Sequence, residues 1–385
     1  MNRSCHVSRR AAWIVAGAIA FALTPAATPQ DWRAKLTQRI AQHPGEAAVV
    51  VQFCETGERF AHRENETFPT ASLIKLPVMV EAYRQAEAGG ISLRDTVVLR
   101  EADKVPGSGI LSTHFSEGAT LPLRDAIRLM IAWSDNTATN LVLDRVGLRA
   151  VNDAMAELGC PETRIQSQVY RRDTSIDLER SRRYGLGCTT AAEMIRLLEK
   201  LQRRELVSAA ASDEMRGHLA ACQDKLLFPR KLPSRARVEH KTGGVTGVRT
   251  DAGIITGPGG VVLVCVLTSN NRIPPGQRED PGELLCAEVA AIAYEKLNLQ
   301  AESGRSGKEA ESESPPLRLG DSGAVVLRLQ RLLNERQPAD PPIDVDGEFG
   351  PQTRAAVERF QKGVQLPVTG EVDKATWKQL EAPAP

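Results

Sequence analysis

Three short groups of residues carry side chains suited to nucleophilic acyl transfer. Ser72-Leu73-Ile74-Lys75 sets a hydroxyl and an amine three residues apart, and on a helix such residues share a face. A serine hydroxyl becomes a useful nucleophile when a neighbouring base takes its proton. A lysine serves as that base when burial and nearby positive charge lower its pKa. Ser134-Asp135-Asn136 offers a second hydroxyl, able to relay a proton to a leaving nitrogen, and an Asn136 amide suited to a substrate amide and to Lys75. Lys241-Thr242-Gly243 offers positive charge for a carboxylate, a hydroxyl, and a glycine that lets the backbone approach a ligand. Each group alone also has a plain structural use: an exposed helix face, a helix N-cap at Ser134 or Asp135, or a basic turn.

Positioning these groups requires a sheet and a set of helices. Ala47–Phe53 is a run of small and β-branched residues, and after Glu55-Thr56-Gly57 the segment 58–62 reads as its hairpin partner. Apolar residues then recur at helical spacing over 72–88, 123–133, 138–146, 190–201 and 212–222. Strands return at 247–255 and 261–268 around a Gly257-Pro258-Gly259-Gly260 turn, and a last helix is expected over 282–297. Strands from both ends around a helical middle predict an α+β fold: one antiparallel sheet with a helical insertion.

The 385 residues are 42% hydrophobic and 25% charged, a soluble globular mix with room for more than one domain. Forty-nine Lys and Arg against forty-eight Asp and Glu leave a net charge of +1, so no global field favours nucleic acid or an anionic bilayer. Aromatics at 4% argue against a base-stacking or aromatic-lined sugar platform.

Arg3, Arg9 and Arg10 precede the apolar run Ala11–Leu23, and small residues lie at Thr24 and Ala26. This is the pattern of a secretory signal peptide over 1–26. The run falls short of the roughly 20 residues that span a bilayer, so no span is expected after cleavage; Ser8-Arg9-Arg10 also permits twin-arginine export. Past Cys5 the chain keeps Cys54, Cys160, Cys188, Cys222, Cys265 and Cys286. Cys54 and Cys265 sit in apolar runs and read as buried thiols, whereas Cys160 and Cys188 bracket a polar loop and are the better disulfide pair. The six histidines show no close ligand pairs with these cysteines, so no zinc site is expected. Residues 300–316, rich in Ser, Glu and Gly, read as a linker between domains at 31–299 and 317–380.

Taken together and in this order, the three groups resemble the class A β-lactamase family of penicillin-recognising serine enzymes. Thr70-Ala71, Gly107–Leu111, Leu129–Ala132, the run on to Asn140, and Asp251–Ile254 extend the likeness over about 45–298. The resemblance implies a β-lactamase/DD-peptidase-like fold, with Ser72 as the acyl-forming nucleophile and Lys75 as its base. It implies that Ser134 passes a proton to the leaving group, while Asn136 and Lys241 shape the site. The N–H groups of Ser72 and Gly244 would form the oxyanion hole, and Thr242 and Arg249 would hold a substrate carboxylate; Arg249 reads equally as a solvent-facing strand residue. Hydrolytic members carry a Glu-x-x-Leu-Asn segment, which positions the deacylating water. The stretch 166–188 has none. Its one glutamate, Glu179, is the candidate for that work or an exposed loop ion pair.

Residues 317–380 predict three short helices, with Val325, Leu329 and Leu333, then Val357 and Phe360, then Trp377 facing a small core. Their glycine turns are similar to the peptidoglycan-binding module of bacterial wall enzymes. The expected protein is an exported monomer of the periplasm or cell wall, opening β-lactams without a cofactor. Readings to weigh against it are a D-Ala-D-Ala carboxypeptidase with the same machinery and a non-catalytic wall binder.

Overall fold

The computed structural model describes residues 31–273, 279–308, 316–336 and 342–382; the expected signal peptide at 1–26 lies outside them. By its internal contacts the chain divides into two units, Met1–Asn298 and Leu299–Pro385.

The first unit opens on α1 (Trp32–Ala41), β1 (Glu46–Phe53) and β2 (Arg59–His62). A short strand β3 (Phe68–Pro69) leads through a 3₁₀ turn, Ala71–Ile74, into α2 (Lys75–Glu87). The helical middle follows as β4 (Thr96–Val98), α3 (Leu111–His114), β5 (Thr120–Pro122), α4 (Leu123–Ala132), α5 (Asn136–Val146) and α6 (Leu148–Glu157). It continues through β6 (Arg164–Ile165), α7 (Leu178–Tyr184), β7 (Gly187–Thr189), α8 (Ala191–Gln202) and α9 (Ala209–Ala220). The chain then returns to the sheet with β8 (Arg237–Val245), β9 (Val248–Gly257) and β10 (Gly260–Ser269), and closes on α10 (Pro281–Lys308).

The main sheet has the order β2-β1-β10-β9-β8, every pair antiparallel. Successive strand residues face opposite sides, and β1 shows it. Ala48 and Val50 join the core built with α2, α4 and α8, whereas Val49, Val51 and Phe53 join the core under α1 and α10. The α+β arrangement expected from the sequence is the one observed. Two differences bear on the site and on the expected linker. Lys241 lies inside β8 rather than ahead of a strand, and α10 runs on to Lys308, through the first part of the expected linker. Ala301, Glu302 and Lys308 are good helix formers, and extending an existing helix costs far less than starting one.

The second unit packs α11 (Ala324–Arg336), α12 (Pro351–Gly363) and α13 (Lys374–Glu381) around Leu329, Phe349, Val357, Phe360, Trp377 and Leu380. Two buried glutamines fix its turns in the same way. Gln330 donates to Asp346, the Glu348 carbonyl and Thr353 and accepts the Gly347 N–H. Gln361 donates to Thr369, the Glu371 carbonyl and Thr376 and accepts the Gly370 N–H. The described residues of the chain contain no helix long and apolar enough to cross a membrane.

Candidate active site

Ser72 sits in the 3₁₀ turn ahead of α2, half-buried, behind Ala71 at φ 46°. Ser134, in the loop between α4 and α5, has φ 52°. The left-handed region is costly for residues bearing a Cβ, and such strain gathers at functional sites. Here it falls at or beside both hydroxyls that the sequence assigns to acyl transfer.

Lys75, at the first position of α2, is fully buried. Its Nζ donates to the Ser134 carbonyl at 2.6 Å and to Asn136 Oδ1 at 2.8 Å, and lies 3.3 Å from Ser134 Oγ. Lys241 is fully buried too, and its Nζ donates to the same Ser134 Oγ at 3.1 Å and to the Thr242 carbonyl at 2.6 Å. Burial pushes Lys75 well below the ordinary lysine range, the charge of Lys241 adds to the push, and Asp135 opposes it. Lys241 is also lowered, by burial, against the pull of Cys222, Asp251 and Asp224.

Asp135 builds the loop that presents Ser134 and Asn136. Its carboxylate caps α5 through the Ala138 N–H at 2.8 Å and also accepts the N–H groups of Ile110 at 2.7 Å and Leu111 at 2.8 Å. Gly109 has to be glycine, since a Cβ there would lie 2.3 Å from Asp135 Cγ. Asn136 Nδ2 donates to the Pro106 carbonyl at 2.9 Å, which turns Oδ1 to Lys75, and Ser108 Oγ donates to the Ser134 carbonyl at 2.8 Å. The sequence marked 107–111 as part of a motif but gave Ser108 no role.

Gly243 brings the edge strand β8 against the turn carrying Ser72. A Cβ at Gly243 would lie 2.3 Å from the Thr70 carbonyl oxygen and 2.8 Å from Leu73 N, and Thr250 Oγ1 donates to that carbonyl at 2.9 Å. The segments bearing the Ser72 and Gly244 N–H groups are thereby held side by side, and Thr242 lies on the same strand.

Two expected site residues stand differently. Arg249 is partly exposed, and most of its donors are engaged within the protein. Nε donates to Glu283 at 3.1 Å, Nη1 to the Val245 and Val248 carbonyls at 2.8 Å each, and Nη2 pairs with Asp280 at 3.0 Å. Five donors in a fixed fork leave one N–H to spare. Glu179 is exposed in the first turn of α7, where an acidic side chain favours the helix dipole, and none of the site's hydrogen bonds reaches it. The loop before it is pinned elsewhere: Asn140 Nδ2 donates to the Val169 carbonyl at 3.0 Å, and its Oδ1 accepts the Val169 N–H at 2.8 Å.

The cysteine expectations also change. Cys160 and Cys188 are free and buried, with Sγ atoms turned to the Glu193 and Glu162 carbonyls, so they form no disulfide. Cys54 is exposed because β1 ends at Phe53, whereas Cys265, inside β10, is buried. Among the described residues no group of His, Cys, Asp and Glu side chains is placed to hold a metal ion.

A family model described as "Beta-lactamase enzyme family" matches residues 31–297, and one described as "Putative peptidoglycan binding domain" matches 322–380. A β-lactamase of Rhodobacter capsulatus is 30% identical over 162 residues, 41% of this chain and 54% of that protein. The extended-spectrum β-lactamase PER-1 of Pseudomonas aeruginosa is 25% identical over 240 residues, 60% of this chain and 75% of that protein. The chain spans about half or less of the length of the first curated relatives it matches. Among solved structures, a β-lactamase from Sphaerobacter thermophilus DSM 20745 superposes with a TM-score of 0.61 at 33% identity, over 70% of this chain and 97% of that one.

Proposed function

The chain belongs to the β-lactamase enzyme family, and from that premise we propose that it opens the amide of β-lactams through an acyl intermediate on Ser72. The observation that carries this reading is the convergence of Lys75 and Lys241 on Ser134 Oγ. Lys75, held toward its neutral form, takes the Ser72 proton as the hydroxyl attacks the lactam carbonyl. The oxyanion that forms is met by the N–H groups of Ser72 and Gly244, where preorganised donors act most strongly. Ser134 hands its proton to the departing lactam nitrogen and is reprotonated from the lysine side. Lys241 and Thr242 receive the substrate carboxylate, and Asn136 receives its side-chain amide. Water then cleaves the acyl ester and returns Ser72.

Residues 322–380 would hold the enzyme on peptidoglycan, which fits an extracytoplasmic site of action and export through the 1–26 segment. Labelled penicillin should form a covalent adduct on the wild type and none on Ser72→Ala; labelling that survives the substitution would sink the assignment. Parallel incubation with a chromogenic cephalosporin and with a D-Ala-D-Ala peptide separates a β-lactamase from a carboxypeptidase and from a mere binder. Pelleting with isolated peptidoglycan, with and without residues 317–385, tests the tail.

A further inference from the structure

Between β6 and α7 the chain turns back on itself at Gln168–Arg171, where the Arg171 N–H donates to the Gln168 carbonyl at 3.3 Å. The third residue of this turn, Tyr170, takes φ 59°, a conformation that glycine or asparagine ordinarily fills. The turn is fastened on both sides. Asn140 holds Val169 by its N–H and its carbonyl, the Gln168 N–H donates to Thr174 Oγ1 at 2.9 Å, and Arg171 Nη2 donates to the Ala102 carbonyl at 2.6 Å. The side chain presented by this strained backbone is 65% exposed, so the tyrosine adds little to the core. Strain held in place by its surroundings gathers at functional sites, and the acyl-transfer steps do not use this residue.

Gly107 shows what Tyr170 faces. It has φ 91° and lies between Pro106, whose carbonyl accepts Asn136 Nδ2 at 2.9 Å, and Ser108, whose carbonyl accepts the Asn136 N–H at 3.0 Å. A Cβ at Gly107 would lie 2.7 Å from Asn136 Nδ2, 3.2 Å from Tyr170 Oη and 3.4 Å from Tyr170 Cε2. The edge of the phenol ring and the Asn136 amide therefore border one gap, which a side chain at 107 would fill.

We propose that Tyr170 is a specificity-determining residue: its ring is the wall against which the site receives the aromatic acylamino side chain of a β-lactam, beside the Asn136 amide that receives the polar part of the same group. This deepens, and rests on, the acyl-transfer reading above.

The order of groups across the site matches the order of groups in such a substrate. An acylamino side chain carries its amide next to the lactam ring and its apolar end beyond. Asn136 is buried and bonded through Oδ1 to Lys75, so it stands at the reacting groups, whereas Tyr170 stands across the Gly107 gap and opens to solvent. Asn136 Nδ2 keeps a second N–H beyond the one given to Pro106. An amide that accepts it leaves its aromatic end to lie on the Tyr170 ring, where two aromatic surfaces attract beyond the area they bury.

Tyr170→Gly removes the ring and suits the φ of the turn, so its Tm should be no lower than that of the wild type. Acylation efficiency is then measured with benzylpenicillin and with the penicillin nucleus that bears a bare amine in place of the side chain. Tyr170→Gly should lose about fivefold with benzylpenicillin, the scale of one aromatic contact, and nothing with the bare nucleus. Tyr170→Phe, which keeps the ring, should keep the wild-type preference. Equal losses on both compounds or a lowered Tm would make Tyr170 a structural residue and overturn the proposal, as would no loss on either compound or a preference lost in Tyr170→Phe. If neither compound acylates the wild type, the acyl-transfer reading fails instead, and calorimetric binding of the same two compounds to the wild type and Tyr170→Gly decides the role of Tyr170: the same selective loss supports it, and its absence overturns it.

Discussion

Lys75 and Lys241, both fully buried, point their ammonium groups at one hydroxyl, Ser134 Oγ, from 3.3 and 3.1 Å. Two cations so placed discourage each other's protonation, and the first to yield is Lys75, which burial already lowers and Lys241 lowers further. Acylation should therefore rise with pH as Lys75 loses its proton. Removing the positive neighbour in Lys241→Ala makes Lys75 easier to protonate, so its acid limb should move to higher pH. A shift of about one unit would cost about tenfold in rate on that limb. Penicillin labelling followed against pH measures it; a limb that stays in place or moves to lower pH contradicts the role given to Lys75.

Arg249 makes a separate prediction, because two acids of the α10 start already hold it. Asp280→Asn removes one of them and loosens the grip on the guanidinium. KM for a carboxylate-bearing penicillin should fall roughly twofold to fivefold with kcat little changed, the scale of a partly exposed ion pair. An unchanged or higher KM would show that the substrate carboxylate never competes for Arg249.

These two sites mark where the sequence was and was not legible. The structure brings together Lys75, Ser134, Asn136 and Lys241, which the sequence grouped only through the joint order of three short motifs. The setting of Arg249 could not be read, because its partners Asp280 and Glu283 reach it from another element. The Cys160–Cys188 pairing failed because a polar loop composition says nothing about where buried thiols turn. The linker's first residues proved helical because low apolar content does not stop Ala, Glu and Lys from prolonging α10.

The Asn140 grip on Val169 sets an expectation for turnover. Both hydrogen bonds fix the loop against α5 at a buried apolar residue, and Glu179 stays exposed on α7. No carboxylate of the described residues is hydrogen-bonded to Lys75, Ser134 or Lys241. Acylation should therefore outrun deacylation, giving a burst of chromogenic cephalosporin close to one equivalent of enzyme, then a slower steady rate. Glu179→Gln should leave both phases unchanged. A linear progress curve, or a slowed second phase in that variant, would count against this reading.

The last prediction concerns acid stability. His218 Nε2 lies 2.9 Å from Tyr83 Oη in a buried pair, and burial, with Arg128 and Arg124 nearby, lowers the imidazole from 6.5 to about 4. In this window the unfolded chain binds the proton that the folded chain refuses, so stability falls as pH drops from 6.5 toward 4. The full shift corresponds to at most about 3 kcal/mol. His218→Gln keeps a polar partner for Tyr83 but cannot titrate. Chemical denaturation at about pH 7 and pH 4.5 should show the wild type losing more stability than this variant on acidification; equal losses would mean that His218 takes its proton without cost to the fold.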